Sequence, residues 1–214
     1  MISALINRMM AGDRRALARL FTVAERGGQQ ALDVTKALQN HCGSSFCVGV
    51  TGPPGAGKST IVDRLIKSWR EKGISVGVLA VDPTSPLTGG AVLGDRIRMQ
   101  SHFLDKAVFI RSFGTRGIHG GLSQATRIGV RLLDAFGKDV IVVETVGVGQ
   151  TELDIMRVAD TVVVVLVPES GDAVQTMKAG LMEIADLFVV NKTDRPGADK
   201  LASDLRGMLR LGQY

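Results

Sequence analysis

The sequence predicts a doubly wound α/β fold, a mostly parallel sheet with helices on both faces, on three observations. Six short apolar runs, FCVGVT, SVGVLAVD, AVFIRS, DVIVVET, DTVVVVLVP and DLFVVNK, follow one another between Phe46 and Lys192. They are rich in Val, Leu and Ile without polar alternation, as strands buried on both faces are. Helical stretches such as Lys58–Lys72 and Leu122–Phe136 lie between them, and that alternation builds a parallel sheet. The first forty-odd residues carry helical stripes instead, so a helical arm over 1–44 is expected before a sheet domain over 45–214.

Within the arm, Ile2, Leu5, Ile6 and Met9 share one helical stripe. Gly12 interrupts it, and Asp13 is placed to cap a second helix carrying Leu17, Leu20, Phe21 and Ala24. RGGQQ at Arg26–Gln30 is a break, followed by a shorter helix to about Asn40. Ligands on the sheet that follows are expected beyond the carboxyl ends of its strands.

Composition sets outer limits. The 214 residues suit one sizeable domain with a small appendage. No apolar run approaches the roughly 18 residues of a membrane span, and the start reads as an amphipathic helix rather than a secretory signal. The net charge of +5 comes with only 4% aromatics and scattered arginines, which a mildly basic surface or anionic small ligands explain, so neither a nucleic-acid nor a membrane partner is expected. His41, Cys42 and Cys47 in HCGSSFC match no tetrahedral zinc spacing. Two unpaired cysteines fit a reducing cytoplasm.

Chemistry concentrates at the ends of the runs. The first run leads into Gly-x4-Gly-Lys-Ser: Gly52, Pro53, Pro54, Gly55, Ala56, Gly57, Lys58, Ser59, then Thr60. Glycines let successive amides wrap a phosphate, and the helix beginning there adds its positive dipole end. Lys58 is placed for the β- and γ-phosphates, and Ser59 for magnesium. A bare glycine-rich turn does not explain a complete motif lying between a buried strand and an amphipathic helix, so a P-loop is expected.

Near the end of the fourth run stands Glu144, an acid placed to hold magnesium through water, with Gly147 three residues on to present its amide to a γ-phosphate. The sixth ends in NKTD. Asp194 can accept two hydrogen bonds from guanine that adenine does not offer, together worth roughly 3–6 kcal/mol. Lys192 can lie along the base, and Asn191 can tie this loop to the P-loop. Asp82 ends the second run, and Asp95 sits in a glycine-rich loop entering a helix; composition alone leaves each open as a site acid or as a cap.

Taken together, GPPGAGKST, AVDPTSP, GAVLGDRIRM, RSFGTRGIHGGLS, VETVGVGQTE, VPESGDAVQTMKAGLMEIAD and NKTD resemble the MeaB/ArgK-type GTPases, the metallochaperone class that accompanies methylmalonyl-CoA mutase. The resemblance covers essentially the whole chain. It implies a G-domain that binds GTP or GDP with Mg2+, hydrolyses GTP slowly, and protects and gates adenosylcobalamin loading of the mutase. It also implies that Lys58 serves the phosphates and that Ser59, Asp82, Asp95 and Glu144 surround the magnesium and the attacking water. Val167–Lys178 resembles a further switch that answers to the mutase, with Gln175 and Lys178 directed at the γ-phosphate. The family usually continues with a strand bearing a Ser-Ala guanine loop and with helices that form a homodimer, and this chain ends at Tyr214. His119 is assigned no chemistry. The sequence leaves open a cobalamin adenosyltransferase as second partner, a kinase linked to lysine/arginine/ornithine transport, and a non-catalytic nucleotide-binding remnant.

Overall fold

The structure, a computed structural model, describes residues 2–82, 99–114, 124–145, 154–168 and 181–211. Six strands form one sheet: β1 (Phe46–Thr51), β2 (Val76–Asp82), β3 (Val108–Gly114), β4 (Val140–Thr145), β5 (Thr161–Leu166) and β6 (Leu187–Val190). Their order is β3-β2-β4-β1-β5-β6, and every pairing is parallel. All six apolar runs thus become strands. The helices are α1 (Ile2–Met10), α2 (Arg14–Arg26), α3 (Gly28–Leu38), α4 (Lys58–Glu71), α5 (Gln124–Ala135), α6 (Leu181–Ile184) and α7 (Ala198–Leu211).

Strand alternation divides the core into two layers. On one face Val48, Val50, Val76, Val78 and Val142 pack with Val62 and Ile66 of α4. On the other, Cys47, Leu79, Val81, Ile141 and Val143 meet Leu132 and Leu133 of α5 and the apolar stripes of α1–α3. The two layers explain why the central strands read as continuous apolar runs: both of their faces are covered.

The arm is held by its own capping and by the sheet edge. Asp13 caps α2 by accepting from Arg15 N at 2.8 Å and Ala16 N at 3.1 Å. Arg14 donates to the carbonyls of Lys106 at 2.7 Å and Val108 at 2.8 Å, and its guanidinium lies over Phe109. Phe21 stacks on Phe109 and tilts against Phe113, while Glu25 pairs with Arg111 at 2.7 Å. The turn entering β3 is gripped from two further directions. Lys138, just before β4, donates to the Ala107 carbonyl at 2.8 Å, and Arg70 of α4 bonds the Asp105 carboxylate at 2.8 Å. Asp134 of α5 receives Gly43 N, Ser44 N and Ser45 N, fixing the connection from the arm into β1.

Element ends differ slightly from the periodicity. The P-loop helix stops at Glu71 rather than Lys72, because Lys72, Gly73 and Ile74 turn back onto the carbonyls of Trp69 and Arg70. Among the described residues, no helix is long and apolar enough to cross a membrane, and no three His, Cys, Asp or Glu side chains gather as a metal cluster. Cys42 and Cys47 are free thiols. Burial and the nearby Asp160 carboxylate push Cys47 up to about 12, so it behaves as a packed apolar side chain.

Candidate nucleotide site

The site grows from the carboxyl ends of β1, β4 and β6. β1 ends at Thr51 and the loop turns at once. Gly52 has φ 134°, and a Cβ there would lie 2.1 Å from the Val165 carbonyl oxygen. Gly57 has φ 89°, and a Cβ there would lie 2.4 Å from Asn191 Nδ2. Both positions therefore demand glycine, on conformation and on space. α4 begins at Lys58 with no side chain capping its first amides, which leaves a helix N-terminus of the kind that binds anions. Pro54 and Gly55 are exposed at the tip, Pro53 and Ala56 are buried, and Thr60 is exposed on the first turn of α4.

Lys58 is 6% exposed. Its ammonium donates to the carbonyls of Gly52 at 2.9 Å and Pro53 at 3.0 Å, so the lysine lies across its own loop. Ser59 is equally buried, and its hydroxyl donates to Glu144 Oε1 at 2.6 Å. Glu144, 4% exposed, is the penultimate residue of β4 and pairs across the sheet with Val50 and Ala80. A buried carboxylate against a buried hydroxyl at a helix start is an all-oxygen, hard donor set, suited to a magnesium ion.

Asn191 approaches from the far side. Its backbone N bonds the Leu166 carbonyl at 2.8 Å, and its Nδ2 donates to the Ala56 carbonyl at 2.8 Å. The loop after β6 is thereby fastened to the P-loop. Lys192 follows with φ 57°, a left-handed turn that swings the chain outward, and Asp194 stands exposed beyond it. The structure thus brings Gly52–Thr60, Glu144 and Asn191–Asp194 to one end of the sheet. Asp82 closes β2 beside them, in the strand paired with β4, but its side chain is outside the described set. Asp95, Gly147, Gln175 and Lys178 also lie outside the described residues.

Sequence reasoning passed over one contact in this neighbourhood. Thr145 Oγ1 donates to Thr51 Oγ1 at 2.8 Å, and both threonines are fully buried. The available signal was a polar residue closing each of two otherwise apolar runs.

Residues 17–214 match the model of the methylmalonyl Co-A mutase-associated GTPase MeaB. The chain belongs to the MeaB family. A Pyrococcus abyssi protein that carries the provisional name of a GTPase is 58% identical over 211 residues, covering 99% of this chain and 65% of its own length. The GTPase ArgK of Escherichia coli is 43% identical over 193 residues, 88% of this chain and 58% of its own. This MeaB-family chain therefore spans less than two thirds of both relatives. The crystal structure of a LAO/AO transport system kinase superposes with a TM-score of 0.72 at 32% identity, covering 97% of this chain and 61% of that one.

Proposed function

We propose that this chain binds GTP with Mg2+, hydrolyses it slowly, and in the full-length protein couples that cycle to protecting methylmalonyl-CoA mutase, or a related acyl-CoA mutase, and gating its adenosylcobalamin loading. The observation that carries the nucleotide part is the convergence of the P-loop, the Ser59–Glu144 contact and the Asn191 tether at one end of the sheet. Family membership supports the mutase part, and so does the name of a mouse relative, methylmalonic aciduria type A homolog, 35% identical over 207 residues and covering 90% of this chain and 50% of its own.

In this reading, the amides of Gly55–Ser59 and the α4 N-terminus hold the phosphates. Lys58 exchanges two neutral carbonyls for phosphate oxygens, a charge-assisted contact that strengthens as charge develops. Ser59 and Glu144, with Asp82 and Asp95, hold the cation. Bound magnesium would neutralise phosphate charge. Asp194 selects guanine through two charge-assisted hydrogen bonds, Lys192 covers the base, and Asn191 keeps both loops in register. Gly147 and the segment Val167–Lys178, with Gln175 and Lys178, answer to the γ-phosphate and the mutase. Homodimerisation and the Ser-Ala guanine loop belong to the longer family protein, and a cobalamin adenosyltransferase is a further candidate partner. The cytoplasm is the proposed compartment.

The test is GTP hydrolysis with and without methylmalonyl-CoA mutase. Turnover that prefers GTP over ATP, rises with mutase and disappears in Lys58→Ala is the expected result. Preference for ATP removes the guanine assignment, and turnover indifferent to the mutase removes the partner. The kinase name of the solved relative motivates a second reading, phosphate transfer to a transport protein. Labelled GTP or ATP incubated with such a protein decides it: no labelled protein counts against a kinase.

A further inference from the structure

His102 is a buried ionisable group outside the nucleotide site, in the short 3-10 turn Gln100–His102 that precedes β3. Its Nε2 donates to Asp63 Oδ1 on α4 at 3.0 Å, and the Ser101 hydroxyl reaches the same oxygen at 3.4 Å. Further along α4, Arg70 bonds the Asp105 carboxylate at 2.8 Å. Among the described residues, the charged groups facing the imidazole are therefore Asp63 from α4 and Asp105 from the chain just beyond its own turn, the latter already taken by Arg70. Asp63 follows Ser59 at the i+4 position of α4. Side chains so spaced are neighbours on a helix, with Cβ atoms about 5–6 Å apart. Adding the length of the carboxylate arm and the 3.0 Å contact puts the imidazole within about 12 Å of Ser59.

We infer that the proton on His102 regulates how firmly the first turn of α4 holds Mg2+ beside a nucleotide, a role that rests on the magnesium reading above. The physical reason is charge at short range. With a neutral imidazole the pair carries the charge of Asp63; with an imidazolium the two cancel. An uncancelled carboxylate one helical turn from Ser59 favours a divalent cation and opposes phosphate, and cancelling it reverses both effects. At an effective dielectric constant of about 40–80, a unit charge at that range changes the affinity of a divalent ion roughly threefold to tenfold. The sign follows directly. Acid pH weakens the addition of Mg2+ and favours the bare nucleotide, and the change falls near neutrality because imidazole titrates there. Coupling of this kind is reciprocal, so bound Mg2+ loosens the His102 proton by the same factor.

The discriminating variant is His102→Gln, which is uncharged at every pH and can still donate to Asp63. The measurement is the Kd of a fluorescently labelled GDP in EDTA and in excess Mg2+, at pH 5.5 and pH 8 and low ionic strength. The ratio of the two Kd values reports how well the cation is held, without requiring turnover. Comparing the two proteins cancels the titration of the GDP phosphate itself. On going to pH 5.5 the wild-type ratio is expected to fall roughly threefold to tenfold further than that of His102→Gln. In about 0.5 M NaCl, where charges are screened over a few ångströms, that extra fall should shrink. The coupling is also read without any variant, from the NMR pH titration of the His102 ring in the wild-type GDP complex. Mg2+ is expected to weaken proton binding there by the same factor, with the exposed His41 as internal control. Equal pH dependence in the two proteins, a difference untouched by salt, or a His102 titration indifferent to Mg2+ overturns the inference. Wild-type protein that shows no strengthening by Mg2+ at either pH removes the magnesium reading itself and takes this inference with it.

Discussion

Replacing Lys138 by methionine tests how the base of the sheet is built. Lys138 is 6% exposed, with its ammonium 2.8 Å from the Ala107 carbonyl and 5.5 Å from the centre of the Phe136 ring. Burial first, then the nearby Arg14 and Arg70 charges, lower its pKa from 10.5 to about 8. The folded chain therefore holds this proton more weakly than the unfolded one. Between about pH 8 and 10.5 the unfolded chain still carries a proton that the folded chain has released, so stability rises with pH across that window. Below it, the buried charge costs at most about 3 kcal/mol. Methionine keeps an unbranched stem and has no charge, while the Ala107 carbonyl still accepts from Val76 N at 3.0 Å. Set against the loss of one hydrogen bond from a charged group, worth about 1.5–3 kcal/mol, Lys138→Met should gain at most about 1.5 kcal/mol at pH 7. Urea unfolding of both proteins at pH 7 and pH 10.5 measures this. The advantage of the variant should shrink or reverse at the higher pH. A variant much more stable than that at pH 7, or a difference independent of pH, refutes the reasoning.

Three further outcomes are expected. Asn191→Ala removes the bond to the Ala56 carbonyl and should weaken guanine-nucleotide binding by roughly tenfold, about 1.4 kcal/mol, in a fluorescence titration; unchanged affinity would detach the two loops. Cys47 is buried with its thiol pushed up to about 12, and burial also raises Cys42, so iodoacetamide at pH 8 should label Cys47 only in denaturant and Cys42 slowly. Rapid native labelling of Cys47, seen by mass spectrometry, would contradict the packing of β1. Asp13→Ala strips the cap from α2 and should cost about 1 kcal/mol in chemical unfolding without altering nucleotide affinity.

The strands were legible because burial on both sheet faces leaves an uninterrupted apolar signature, and the P-loop because glycine spacing is set by backbone geometry. Asp13 was legible as a cap because capping is local. Contacts between distant segments were harder to foresee. Asn191 could be assigned to the P-loop only by its motif, since 135 residues separate it from Ala56. The Thr51–Thr145 bridge depends on which strands become neighbours, and parallel order is not written in any single run. Nothing local in the sequence marks Lys138; its burial follows from α2, α4 and the β3 turn closing around it.

The grip of Arg14, Phe21 and Glu25 on β3 also bears on solubility. β3 is an outermost strand of the sheet, and an uncovered outer strand is a template for pairing with another chain. The arm covers that template: Arg14 occupies the Lys106 and Val108 carbonyls, and Phe21 shields Phe109 and Phe113. A chain begun at residue 45 would present a raw flank of aromatic rings and unpaired carbonyls. It would be expected to self-associate before it could be assayed, which makes the first 44 residues a guard against aggregation as much as an appendage.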